Sequence, residues 1–190
     1  DMGAGTPVLS WSNLVSSSAP RTRITLPRTY AAGEDFQVRI AYHGRVNDNF
    51  PKKIFGRDAF TSIANLNGGG PMIYSESQPY GGRRWWPCKD HPSDKPTSTV
   101  QRIIVPNNTG YNLTAVSNGL LQSKINHGAT TEFVWAHNYP VATYLVSVAI
   151  SEYVYFGAEY ESRDGQTTMP VGAYVRPGDV AVDGPGYLGT

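Results

Sequence analysis

Apolar and polar residues alternate with a period of two along most of this chain, and that period belongs to a strand rather than to a helix. In Thr22-Arg23-Ile24-Thr25-Leu26, and again in Phe36-Gln37-Val38-Arg39-Ile40-Ala41-Tyr42, the apolar side chains fall on one face of an extended backbone. Half-buried antiparallel strands are the structures that this pattern fits. The same reading predicts strands over 72–74, 98–105, 112–117, 121–125, 130–136, 153–156 and 167–175. Asn118-Gly119, lying between two of them, is a tight-hairpin signal. The nearly continuous apolar run over 143–150 predicts a central strand buried on both faces. Residues 65–70 read as an Asn/Gly loop. No long amphipathic helical pattern and no internal repeat occurs, so the expected fold is all-β.

Composition agrees. Only 16% of the 190 residues are charged, while 20 Gly, 14 Pro and 12 Tyr supply turn formers and strand formers. Sixteen basic against 15 acidic residues leave a net charge of +1, which gives no electrostatic reason to expect nucleic acid or an anionic membrane as a partner. No stretch approaches the ~18 apolar residues needed to span a bilayer. The single cysteine, Cys88, cannot form an internal disulfide, so cysteine usage leaves the redox compartment open. Low charge with abundant Tyr, Thr, Asn and Gly fits a secreted or periplasmic setting better than a cytosolic one, and the compartment stays open.

One segment breaks the alternation. Ser75-Glu76-Ser77-Gln78-Pro79-Tyr80-Gly81-Gly82-Arg83-Arg84-Trp85-Trp86-Pro87-Cys88-Lys89-Asp90-His91-Pro92 combines turn formers, paired arginines, paired tryptophans and a Pro-Cys-x-Asp-x-Pro run. Neither a regular helix nor a regular strand tolerates that mixture, and the segment is expected to be irregular but specific. It resembles the signature of the amino-terminal domain of the zinc aminopeptidases related to aminopeptidase N and leukotriene hydrolase. Other pieces follow in that family's order: Ala32-Gly33-Glu34-Asp35 with the alternating segment after it, Thr114-Ala115-Val116-Ser117-Asn118-Gly119, Pro140-Val141-Ala142-Thr143-Tyr144-Leu145, and Met169-Pro170-Val171-Gly172-Ala173-Tyr174-Val175.

The resemblance implies a saddle-like assembly of antiparallel β-sheets, a sandwich, lying beside a thermolysin-like catalytic domain. It places that amino-terminal domain over residues 1–177, with its first strands missing or divergent, and makes 178–190 a Gly/Pro-rich linker toward the catalytic domain. The family's zinc is bound by two histidines at i and i+4 of a helix and a later Glu. His43, His91, His127 and His137 have no such spacing. Zinc is therefore expected in the catalytic domain and no cofactor in this chain, which should be inactive alone. The implied partners are that catalytic domain and the amino terminus of a peptide substrate.

Carried over by position, the resemblance puts Gln78 where most of these enzymes hold an acid that receives the substrate's ammonium. A neutral amide accepts a hydrogen bond there without charge attraction. Glu76 is the adjacent candidate, sharing a face with Gln78 if the backbone is extended. Arg83, Pro87, Cys88, Asp90 and Pro92 are expected to be structural, with Arg83 and Asp90 pairing with each other or with turn backbone. A catalytic Cys88 would need His91 and an oxyanion site. Two other classes stay open. One is a free-standing β-sandwich that binds carbohydrate or protein through Trp85 or Trp86, of which strand geometry would expose at most one. The other is the scaffold domain of an inactive homologue. Asn107-Asn108-Thr109 and Asn112-Leu113-Thr114 are sequons and mark surface turns.

Overall fold

The computed structural model describes residues 11–14, 21–43, 59–65 and 70–179, in two compact units, Asp1–Ala41 and Tyr42–Thr190. All the strands pair antiparallel, and no α-helix occurs among the described residues.

In the first unit, β1 (Trp11–Leu14) pairs with β2 (Arg21–Ile24). Beyond β2 a turn is closed by Glu34, whose carboxylate pairs with Arg28 and accepts the Ala31 N–H at 3.0 Å. The Arg28 guanidinium also lies 4.0 Å from the Tyr30 ring centre. The strand expected over 36–42 is absent. The segment pairs with no other strand among the described residues, and Phe36, Val38, Ile40 and Tyr42 are 42–58% exposed. Alternation records which face a segment would bury, but a strand exists only where a neighbour supplies the ladder.

Among its described residues the second unit contains three sheets. A four-stranded sheet has the order β3 (Phe60–Ile63), β4 (Met72–Ser75), β9 (Val148–Glu152), β6 (Leu113–Ser117). A three-stranded sheet has the order β5 (Thr99–Pro106), β8 (Thr130–His137), β7 (Leu120–Asn126). β10 (Val154–Glu161) and β11 (Thr168–Val175) form a separate two-stranded ribbon. One core cluster joins Val105, Phe133 and Trp135 of the three-stranded sheet to Ala115 of the four-stranded one, with Ile103, Leu113, Ile150 and Tyr174 packed around it. Trp135 Nε1 donates to the Ala115 carbonyl at 3.0 Å, which satisfies the one polar atom that the indole brings into this core.

Two expectations fail here for one reason. The Asn118-Gly119 pair does not close a hairpin, because β6 pairs with β9 and β7 pairs with β8. The pair carries the chain from one sheet to the other. Asn118 Oδ1 accepts the Ser147 N–H at 2.7 Å and its Nδ2 donates to the Leu145 carbonyl at 2.9 Å. Gly119, at φ +87°, runs so close to β8 that a Cβ would lie 2.0 Å from the Ala136 carbonyl oxygen. The same Asn118 bonds help hold Leu145 and Ser147 out of a strand. Instead of one strand over 143–150, Thr143–Leu145 forms a 3-10 turn and the strand starts at Val148. That strand is internal to its sheet, between β4 and β6.

The remaining expected strands are present within a few residues of their expected bounds, and β10 runs on to Glu161. The expected loop over 65–70 falls mostly, and the linker over 178–190 from residue 180 on, outside the described residues. β1 lies in the weakly patterned first stretch, where alternation did not reveal it.

Candidate functional site

The signature segment leaves β4 at Ser75, whose Oγ accepts the Val148 N–H at 3.0 Å. From there the chain is clamped from inside. Glu76 N–H donates to the Ala59 carbonyl at 2.9 Å. Ser77 is buried at 4% exposure; its Oγ donates to the same carbonyl at 3.3 Å and accepts Trp85 Nε1–H at 2.9 Å. Glu76 and Gln78 are exposed on either side of it. The Gln78–Pro79 peptide is cis.

Next comes a turn that only glycine fits. Gly81 N–H donates to the Ser77 carbonyl at 2.7 Å, and a Cβ on Gly81 would stand 2.8 Å from that oxygen and 3.1 Å from Ala59 Cβ. Gly82 opens a 3-10 turn, Gly82–Arg84, and its Cβ would press on Asp90 Oδ1, Cys88 Sγ and the Thr143 carbonyl at 3.1–3.3 Å.

Asp90 locks the turn. Its side chain is 2% exposed; Oδ1 accepts the Gly82 N–H at 3.2 Å, and Oδ2 lies 3.5 Å from Nε of Arg83, whose side chain is 45% exposed. So Arg83 and Asp90 pair with each other and Asp90 also holds turn backbone. Cys88 is half-buried, and desolvation, then the Asp90 charge, push its thiol up to about 12. A thiol so far from ionising is a poor nucleophile. His91 offers it no base, since His91 Nδ1 is engaged by the Ser93 hydroxyl at 2.7 Å and the Ser93 N–H at 3.3 Å. Pro87 is exposed and Pro92 half-buried.

The tryptophans are not on a strand, and neither is fully exposed. They sit in a bend and both are half-buried, with the Trp85 ring 5.5 Å from Phe60 and 6.2 Å from Trp86. Trp86 Nε1 is buried without an acceptor.

The Ser77, Ala59 and Thr143 contributions were not visible in the sequence. The Gly81-Gly82 pair was the one available sign that backbone packs tightly here. Among the described residues no group of three or more His, Cys, Asp or Glu could hold a metal ion, so the donor set for a zinc site is not found in them.

The model of the peptidase M1 N-terminal domain matches residues 11–145, and the chain belongs to that family. No curated protein matches it. Among solved structures it is similar to a mutant two-domain M1 zinc metallopeptidase bound to L-tryptophan, at 22% identity and TM-score 0.62 over 85% of this chain and 34% of that one. An M1 zinc metallopeptidase from Deinococcus radiodurans is similar at 21% identity and TM-score 0.60, over 85% and 33%. A mutant from Deinococcus radiodurans bound to a Tyr-Ser-Ala substrate is similar at 22% identity and TM-score 0.59. These likenesses show the fold, and the chain spans about a third of the length of each structure.

Proposed function

We propose that this chain is the non-catalytic amino-terminal domain of a zinc-dependent aminopeptidase, packing on the catalytic domain and lining the subsite for the peptide's amino terminus. Residues 178–190 then lead toward that catalytic domain. The observation that carries the reading is the local geometry of 76–78. A buried Ser77, bonded to Ala59 and Trp85, presents Glu76 and Gln78 to solvent from a fixed backbone. Fixed polar groups of this kind orient a ligand without reorganising when it binds.

Gln78 would accept a hydrogen bond from the substrate's ammonium through its amide oxygen, and Glu76 would add negative charge beside it. The related M1 structures with L-tryptophan and Tyr-Ser-Ala support a substrate with a free amino terminus. Zinc, held by residues of the catalytic domain, would supply the hydrolytic chemistry. The half-burial of both Trp85 and Trp86 speaks against a free-standing module that stacks sugars on them.

The test compares an aminoacyl substrate with its N-acetylated form in the full-length protein. Cleavage of the free-amino form alone is the expected result. Equal cleavage of both forms, or none of either, would overturn the reading.

A further inference from the structure

The β10–β11 ribbon has an apolar face that is exposed at Val154, Ala158, Tyr160, Met169 and Val171 and half-buried at Phe156, Ala173 and Val175. Its register pairs Val154 with Val175, Phe156 with Ala173, Ala158 with Val171 and Tyr160 with Met169, and directly opposed residues share a face. All eight are apolar or aromatic. Val154, Tyr160, Met169 and Val171 are 41–50% exposed.

The opposite face is used at one end, through Tyr174, and is otherwise exposed, with Tyr155 at 53%. Tyr155 covers Gly157 and Gly172, where a Cβ would come within 2.4–2.6 Å of the ring. Its neighbour Tyr174 packs at 4.9 Å from Tyr155 and 5.9 Å from Trp135 of the core. That contact pins the ribbon by Tyr174. A two-stranded ribbon is marginal alone in water, and a continuous apolar face on one is what an interface looks like.

The outer face of the three-stranded sheet also exposes Val100 and Ile104, but the Arg102–Glu132 ion pair at 3.6 Å interrupts it. Water suits that surface. The ribbon's face carries no charge.

We propose that this face, Val154, Phe156, Ala158 and Tyr160 with Met169, Val171, Ala173 and Val175, is where the catalytic domain docks. The inference rests on the reading above and names the surface involved. The similar two-domain structure is about three times the length matched by this chain, and β11 is the last strand among the described residues. A domain tethered just beyond Val175 reaches this face at high effective concentration, which an untethered partner does not have.

Hydrogen exchange of the β10 and β11 amides tests this, compared between the full-length protein and the 190-residue chain. The expected result is exchange at least about tenfold slower in the full-length protein, since docking removes local opening. Val171→Lys, in mid-face, should abolish the difference and leave the 190-residue chain unchanged. Should that variant fail to fold, Met169→Gln at the ribbon's end should reduce the difference, and the unmodified pair already decides the question. Equal exchange in both forms would overturn the proposal. So would slow exchange in the 190-residue chain that strengthens with concentration, which would seat a second copy on the face. The subsite reading fails separately: a protected ribbon in a protein whose kinetics ignore Gln78 keeps the docking face and removes the subsite.

Discussion

Gly81→Ala is the most demanding test of the clamp beneath residues 76–78. Gly81 has φ −107° and ψ −7°, a backbone that alanine adopts freely, so any cost comes from space alone. The space is missing. The new methyl group would meet the Ser77 carbonyl oxygen at 2.8 Å, Ser77 Cα at 3.0 Å and Ala59 Cβ at 3.1 Å. None is the far end of a flexible side chain, so backbone must move. Overpacking of this kind costs about 1–3 kcal/mol, offset by about 0.4–1 kcal/mol from the stiffer unfolded chain. The net loss, up to about 2.6 kcal/mol, lowers the melting temperature of a domain this size by up to about 10 °C. Gly178→Ala is the control, because no described residue lies within 4 Å of its Cβ position. It should be neutral or stabilising by up to about 1 kcal/mol. The assay is calorimetry of both variants of the 190-residue chain. In the full-length protein, Gly81→Ala should also lower kcat/KM, because Ser77 sits between Glu76 and Gln78. Equal melting temperatures for the two variants would refute the steric argument.

Asn118→Ala removes the bonds to Ser147 N and the Leu145 carbonyl, and should cost about 1–3 kcal/mol in urea titration. A loss under about 0.5 kcal/mol, the range of ordinary surface changes, would remove Asn118 as the tie between β6 and the turn ahead of β9. Cys88 predicts an alkaline effect. Its folded thiol is raised to about 12, so above the usual thiol range the unfolded chain has lost a proton that the folded chain keeps. Stability should therefore fall as pH rises from about 9 toward 12, where unfolded thiols ionise, and Cys88→Ala should flatten that part of the profile. Ellman's reagent should react slowly with the folded chain at pH 8; a rate equal to that of the urea-unfolded chain would contradict the assignment.

Much of the fold was legible because the three-stranded and four-stranded sheets each bury one face in a shared core. The inward Val105, Phe133 and Trp135 lie on strands whose alternation marked them, and the irregularity of 75–92 followed from its Pro and Gly content. What stayed hidden was pairing. The Asn118-Gly119 signal describes a local backbone preference, whereas the partner of β6 was decided by β9, far along the chain. Likewise 36–42 carries a strand's pattern without a described neighbour to complete the ladder. Thr143–Leu145 looked like strand because it opens a nearly continuous apolar run, yet Thr143 is buried with its carbonyl against Gly82, and Asn118 fixes the backbone beyond. At the candidate site the motif pointed to Glu76, Gln78, Arg83 and Asp90. It was silent on Ser77, whose importance is its bonds to Ala59 and Trp85 rather than its chemistry.

The central claim, that residue 78 meets the substrate's amino terminus, is tested most directly by kcat/KM of full-length Gln78→Glu and Gln78→Ala on a free-amino aminoacyl substrate. Gln78→Glu should raise it, because a carboxylate adds a charge-assisted contact to the ammonium, and Gln78→Ala should lower it. Neither should change stability by more than about 0.5 kcal/mol, since the side chain is exposed. Values for both variants indistinguishable from the unmodified enzyme would contradict the account.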